Sequence, residues 1–321
     1  MGKRTLILGW PLLKPQDWLK KYPDIRVDRI YREDLNYWPK RLENISFHTP
    51  RILQHGKLAP NTYFGAWKEH VAEFDTIIII DEIRGPEIFE YILERNNHCR
   101  VCVFYDSPIK RGSRKDPTQY EKFPVSFYTC DRKIANDYGI KFKPYFYIFS
   151  PYDYREIKML PVVDVKQDIF FVGEEKGNRL QELKRIIEII DKAGLTYKIC
   201  LVPQKQKKYT DEEKKYLSSK MTYSNVIKNI RESRAILELV SNGQTGITQR
   251  PYEALFFQKK LITTSNEVKS YDFYNDDNFF VLGERNIEEL PFFLVKKSKV
   301  IDKEIIQEYT IKAWIKNIER S

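Results

Sequence analysis

Nowhere does this 321-residue chain approach the roughly 18 consecutive apolar residues that span a bilayer as a helix. The first apolar run, Leu6 to Leu8, is too short for a secretory leader and reads as a strand. The expectation is therefore a cytoplasmic protein. Cysteine is scarce, with Cys99, Cys102, Cys130 and Cys200 the whole complement, in keeping with a reducing compartment. Cys99 and Cys102 form a CxxC, but Cys99-Arg-Val-Cys102-Val-Phe reads as a strand, where residues three apart point to opposite faces. No second Cys/His pair is there to complete a tetrahedral zinc site, so strand packing is the reading. Two ligand signatures are missing as well. The absence of GxGxxG leaves a nicotinamide or flavin dinucleotide unsupported. The absence of any Asp-x-Asp disfavours transfer chemistry built on a metal-held diphosphate, so no metal and no cofactor are expected.

What is present describes an ordinary soluble protein, with 42% hydrophobic, 31% charged and 14% aromatic residues. That many core-forming rings argues against disorder, and the length is comfortable for two domains. The net charge of +10 raises the local concentration of anions, whether nucleic acid, nucleotide sugars, acidic glycans or anionic lipid. Lys and Arg are spread along the chain and not clustered on one segment, so nucleic acid is not the expected partner. The lysines of 205–208 and 214–220 read as solvated faces, with peripheral attraction to anionic lipid the minority alternative. Tyr145-Phe-Tyr-Ile-Phe149 and Tyr271-Asp-Phe-Tyr274 read as core aromatics before sugar-stacking ones.

Strands and helices alternate along the chain. Thr76-Ile-Ile-Ile-Ile80, bounded by Asp75 and Asp81, has the pattern of a strand buried on both faces, the habit of a parallel sheet. Around it the pattern predicts strands over 5–9, 100–105 and 126–129 and helices over 65–74, 85–95 and 132–138, with 10–61 irregular. The pattern loosens near Pro151–Pro161, where a linker is expected. A second series follows, with strands over 168–172, 197–202, 235–240, 261–264 and 279–282. Helices are predicted over 178–193, 211–217, 223–233 and 251–258, and further helical segments run to Trp314. The fold class expected is α/β, two Rossmann-like domains facing a cleft, divided as 1–160 and 161–321. Ligands of such sheets bind beyond the carboxyl ends of the strands, which singles out the loops 173–179 and 241–253.

In Val172-Gly-Glu-Glu-Lys-Gly-Asn-Arg179, Gly173 lets the backbone turn tightly after a buried strand. The helix that follows offers unpaired N–H groups to a phosphate, with Lys176 and Arg179 beside it. A plain βα turn with a solvated basic helix start is the alternative. In Asn242-Gly-Gln-Thr-Gly-Ile-Thr-Gln-Arg-Pro-Tyr-Glu-Ala-Leu255, Thr245 and Gly246 can present donors to a diphosphate. Arg250 can offer a charged fork, and Pro251 suits a first helical turn. Glu253 can accept hydrogen bonds from the vicinal hydroxyls of a ribose, or simply be a carboxylate favoured by the helix dipole.

These stretches carry a resemblance. Tyr223-Ser-Asn-Val-Ile-Lys-Asn-Ile, Arg234-Ala-Ile-Leu-Glu-Leu, Arg250-Pro-Tyr-Glu-Ala-Leu and Lys259-Lys-Leu-Ile-Thr-Thr264 look like the donor half of GT-B glycosyltransferases. With Tyr63-Phe-Gly-Ala-Trp67, Phe74-Asp-Thr-Ile-Ile, Asp131…Tyr138-Gly-Ile, Ile169-Phe-Phe-Val-Gly173 and Gly243-Gln-Thr-Gly246, nearly the whole chain is similar to proteins of bacterial capsule, exopolysaccharide and lipopolysaccharide-core clusters, the group that includes RfaS. The resemblance implies a glycosyltransferase with a nucleotide-sugar donor and a cell-surface glycan acceptor, free or lipid-linked. A two-domain binding or regulatory protein without catalysis is the alternative. It implies that Glu253 holds the nucleotide ribose, that Gly173, Thr245 and Gly246 lie near the diphosphate, and that Tyr223 lies near the base. The helix around Ala313-Trp-Ile-Lys316 resembles one that crosses back to the N-terminal domain. Many retaining members carry two glutamates separated by seven residues; here Thr245 stands at the first, which leaves stereochemistry open. An inverting enzyme needs a base in the N-terminal half, for which Asp81, Asp106 and His55 are candidates; strand-end carboxylates serve as helix or turn caps equally often.

Overall fold

The computed structural model describes residues 3–9, 22–32, 63–147, 161–205, 207–240 and 246–321. Contacts divide the chain into two compact units: Met1–Tyr145 with Lys316–Ser321, and Phe146–Ile315.

The first unit is built on a six-stranded parallel sheet of order β2-β1-β3-β4-β5-β6. Its strands are β1 (Thr5–Leu8), β2 (Ile25–Asp28), β3 (Thr76–Ile80), β4 (Arg100–Tyr105), β5 (Val125–Thr129) and β6 (Lys141–Phe142). The isoleucine run forms β3 as expected, and every residue of that strand is buried, because a central parallel strand is covered on both faces. Helices α1 (Glu87–Arg95) and α2 (Arg132–Tyr138) connect strands. The start of α2 is fixed by Asp131, whose side chain accepts from the Ile134 N–H, and its end by Gly139 in the left-handed region. Ala66–Glu73, expected to be helical, winds as a 3-10 helix. Its Trp67 is fully buried, and the indole N–H donates to the Ile30 carbonyl at 2.9 Å. The edge strands β2 and β6 fall where the sequence shows no strand. Ile25-Arg-Val-Asp28 buries only Ile25, so an edge position leaves no apolar run to read.

The second unit has a five-stranded parallel sheet of order β11-β10-β9-β7-β8. It comprises β7 (Gln167–Glu174), β8 (Tyr197–Val202), β9 (Ser233–Glu238), β10 (Lys260–Thr263) and β11 (Phe279–Val281). Between and after them run α3 (Arg179–Lys192), α4 (Asp211–Lys214), α5 (Tyr223–Arg231), α6 (Gln249–Phe256), α7 (Leu290–Val295) and α8 (Lys303–Glu308), while α9 (Ile311–Glu319) starts in this unit and has its last residues, from Lys316, in the first. Helix α3 shows how sequence becomes packing. Leu180, Leu183, Ile186, Ile187 and Ile190 recur at helical spacing and all enter the core beside Phe171 and Leu237. Phe146 and Tyr147 belong to this unit, with Phe146 in tilted ring contact with Trp314 (4.8 Å between centroids) and Tyr147 with Phe256 (4.9 Å). The four cysteines are free and buried. Burial raises the thiols of Cys99 and Cys102 to about 11, where neither is nucleophilic.

The two strand orders are the same pattern. In each unit the first strand sits inside the sheet, with the second on one side and the third on the other. The chain therefore reverses its direction of winding between β1 and β3, and again between β7 and β9. Loops diverge at such a point and leave a crevice beyond the carboxyl strand ends.

Candidate functional site

At the β7/β9 switch point lies a cavity of about 280 Å³, walled by residues 171–173 and Arg179 from β7 and the start of α3, Leu237–Leu239 from β9, Tyr223 from α5, and Thr248–Arg250 and Glu253 from α6. Gly173 forms its rim for a steric reason. A Cβ there would meet Phe171 Cζ at 3.1 Å and Arg179 Nη1 at 3.5 Å. Arg179 is held in place, its Nε donating to the Leu239 carbonyl at 2.8 Å and its Nη1 to the Glu174 carbonyl at 2.5 Å. The guanidinium thus ties the tips of the two strands together. Burial lowers its pKa, and the carboxylates of Glu175, Glu174 and Glu238 work in the other direction.

The opposite wall is a chain of hydrogen bonds around Glu253, which is fully buried on the first turns of α6. Its Oε1 accepts from the Tyr223 hydroxyl at 3.0 Å, and its Oε2 from Arg250. The Tyr223 hydroxyl lies 2.5 Å from that of Tyr147. Both phenols are pushed well above their ordinary range, by burial first and then by the charge of Glu253. Arg250 is tuned the other way: burial opposes its charge, but the Glu253 carboxylate more than offsets this and holds the guanidinium protonated. A buried carboxylate paired with a guanidinium and a phenol is a pre-aimed acceptor at low dielectric.

Beneath this lies Glu238, at the tip of β9. Its oxygens accept from the Thr248 and Thr263 hydroxyls, the latter at 2.5 Å. Burial raises this carboxyl, and its two hydroxyl donors oppose the shift. Thr248 also caps α6, accepting from the Arg250 N–H at 3.0 Å, so one hydroxyl fixes both the helix start and the buried acid.

Of the residues singled out by sequence, Gly173, Arg179, Tyr223, Arg250 and Glu253 meet at this cavity. Lys176 does not; it is exposed and pairs with Glu174 at 3.2 Å. Gly246 is half-buried and is not among the cavity's wall residues. Thr245 and His55 lie outside the described residues. Glu238, Thr248 and Tyr147 were missed. A carboxylate ending the apolar strand Ala235-Ile-Leu-Glu238 was the available signal for the first. Tyr147 carried none, because its partner is 76 residues away.

In the first unit, Asp81 and Asp106 stand at the tips of the neighbouring strands β3 and β4. Asp81 takes a left-handed backbone (φ 59°), uncommon outside glycine. Its buried Oδ1 has no hydrogen bond and faces Lys115 Nζ at 3.4 Å. The Asp106 carboxyl is raised to about 8 by the protein atoms crowding it, and then by the hydrogen bond and like charge of Asp81. Asp106 keeps exposed surface, so water softens the crowding contribution and the like charge is the firmer cause.

No known protein family and no curated protein matches the chain in sequence. Among solved structures, it is similar to AviGT4, a glycosyltransferase involved in avilamycin A biosynthesis (TM-score 0.53, 12% identity, covering 99% of this chain and 96% of that one). It is also similar to a sucrose-phosphate synthase from Thermosynechococcus elongatus (0.51, 12%, 99% and 98%). A third likeness is to Anabaena HepE in complex with UDP and glucose (0.50, 12%, 99% and 99%). At such identity the likeness is one of fold, and with the two parallel sheets it shows the GT-B architecture of two Rossmann-like domains.

Proposed function

We propose that this protein is a glycosyltransferase that binds a nucleoside diphosphate sugar, a UDP sugar first among them, in the β7/β9 cavity. The observation that carries the reading is the placement of Glu253. A fully buried carboxylate, braced by Arg250 and Tyr223, lines a cavity at the topological switch point of the second sheet. The fold's presence in a protein held with UDP and glucose supports the same ligand class. In this reading a ribose hydroxyl takes the place of the Tyr223 hydroxyl on Glu253 Oε1, and Tyr223 retains its bond to Tyr147. The diphosphate lies against Gly173, the α6 N-terminus and Arg250, with Thr245 and Gly246 shortly before that helix in sequence. Charge building on the leaving diphosphate is met there by N–H groups and a guanidinium already in position, so no metal is required. For the acceptor's proton we assign the Asp81–Asp106 pair. The acceptor is a cell-surface glycan of the capsule, exopolysaccharide or lipopolysaccharide-core kind, free or lipid-linked, a choice supported by the sequence resemblance.

The test is UDP and UDP-sugar binding by calorimetry, with transfer or donor hydrolysis measured alongside. Glu253→Ala is expected to lose on the order of 10- to 100-fold in affinity, the worth of a hydrogen bond to a charged group. Because that variant also leaves Arg250 buried without its partner, Glu253→Gln serves as the folded control and should lose affinity with less loss of stability. Unchanged UDP affinity in both variants removes the assignment. Donor binding without turnover would make this a binding protein on a transferase fold.

A further inference from the structure

Among the described residues, three of the large apolar side chains that stand out into solvent fall within nine positions: Phe292 (67% exposed), Val295 (57%) and Val300 (76%). They do so on an anchored segment. Helix α7 turns Leu290, Phe293 and Leu294 into the core. That leaves Phe292 and Val295, three apart, on the outward face. Beyond the helix the chain is fastened again. The Lys299 N–H donates to Asn278 Oδ1 at 2.8 Å, Asn278 Nδ2 donates to the Lys299 carbonyl at 2.7 Å, and Ile301 is buried. Three lysines are interleaved with the apolar residues, Lys296, Lys297 and Lys299, all exposed. Lys296 pairs with Asp277 at 2.5 Å, whereas Lys297 and Lys299 form no ion pair among the described residues. Glu288 and Glu289 precede this stretch, with Glu289 paired to Arg285, and the exposed Asp302 and Glu304 follow it. Residues 292–300 themselves carry three lysines and no carboxylate.

We propose that residues 292–300 seat this protein reversibly on an anionic phospholipid surface. Phe292, Val295 and Val300 enter the boundary between headgroups and acyl chains, while Lys297 and Lys299 lie at the phosphates. Charge complementarity selects this partner. An apolar patch alone would suit another protein equally, but unpaired lysines among the apolar side chains match a surface that is greasy below and negative above. The lysine stretches that sequence alone put forward do not have this character: Lys207 pairs with Glu175, Lys214 with Asp211 and Lys215 with Glu212, and no exposed large apolar side chain stands among the described residues of 205–220. The inference is independent of the donor cavity, and its test does not involve turnover.

The full chain would be sedimented with vesicles of phosphatidylcholine, with and without phosphatidylglycerol. Wild type is expected to pellet with the anionic vesicles, far less with the neutral ones, and to be released by high salt. Lys297→Glu/Lys299→Glu should weaken binding by at least about thirtyfold, from roughly 1 kcal/mol per lysine near the surface. Phe292→Ser/Val295→Ser should abolish it, and Lys205→Glu/Lys208→Glu should change it little. Circular dichroism checks that each variant is folded, which surface substitutions should leave intact. The proposal is overturned if wild type stays in the supernatant or if the apolar variant pellets like wild type. It is also overturned if ultracentrifugation shows a wild-type dimer that the apolar variant dissolves, since the patch is then an interface between copies.

Discussion

At Asp106 a single side chain carries a pH signature. Its carboxyl is raised from an ordinary 3.8 to about 8, through crowding and then through Asp81. A group that binds its proton more tightly folded than unfolded favours the folded state at low pH. That contribution fades as pH climbs from the ordinary value through the raised one. Asp106→Asn has no proton to lose there. Its melting temperature relative to wild type should therefore improve steadily between pH 5 and pH 9. A difference that stays flat across this range would mean that Asp106 ionises normally and is no partner of Asp81. The residue scale is also where sequence was most uneven. Asp81, Asp106, Arg250 and Glu253 were visible because each follows a readable element boundary, a strand end or a helix start. Tyr147 was not, because pairing across 76 residues leaves no local pattern, and Glu238, though it too ends an apolar strand, is set apart only by the Thr248 and Thr263 hydroxyls that fold around it.

At the scale of elements, the turn from β7 into α3 depends on what Gly173 lacks. The room around its missing Cβ is taken by Phe171 and by the guanidinium of Arg179, which also joins the tips of β7 and β9. Gly173→Ala adds one carbon in tight but tolerable contact. Gly173→Val adds branches that must displace either the ring or the guanidinium, an overpacking cost of about 1–3 kcal/mol. UDP affinity should therefore fall by roughly tenfold or more in the valine variant and only slightly in the alanine one, as read by calorimetry. Equal affinities would place the ligand away from this turn. The same scale explains which elements were legible. Central strands such as β3 are buried on both faces and leave long apolar runs, and α3 leaves a helical period. Edge strands leave neither, and Ala66–Glu73 has the helical pattern that sequence reads without revealing its tighter winding.

For the whole molecule, the decisive fact is that every wall of the β7/β9 cavity comes from one of the two units. Gly173, Arg179, Tyr223, Glu238, Arg250 and Glu253 all belong to Phe146–Ile315. A ligand bound there stabilises the folded form by about 2.7 kcal/mol when its concentration is a hundred times its dissociation constant. That gain should be spent where the contacts are. With UDP alone, amide hydrogen exchange should slow in β7, β9 and α6, whose backbone groups the cavity orders. It should remain unchanged in β3 and β4, which carry Asp81 and Asp106. The opposite pattern, with protection at β3 and β4 and none at β7, would put the nucleotide on the first sheet. The repeated strand order makes this a fair contest, because both sheets reverse their winding and both offer a crevice at the switch point. What separates them is chemistry. The second sheet's crevice joins a rim glycine, a helix start and a guanidinium suited to a diphosphate, whereas the first places two carboxyl groups at neighbouring strand tips, one retaining its proton and the other facing Lys115, an arrangement suited to handling a proton.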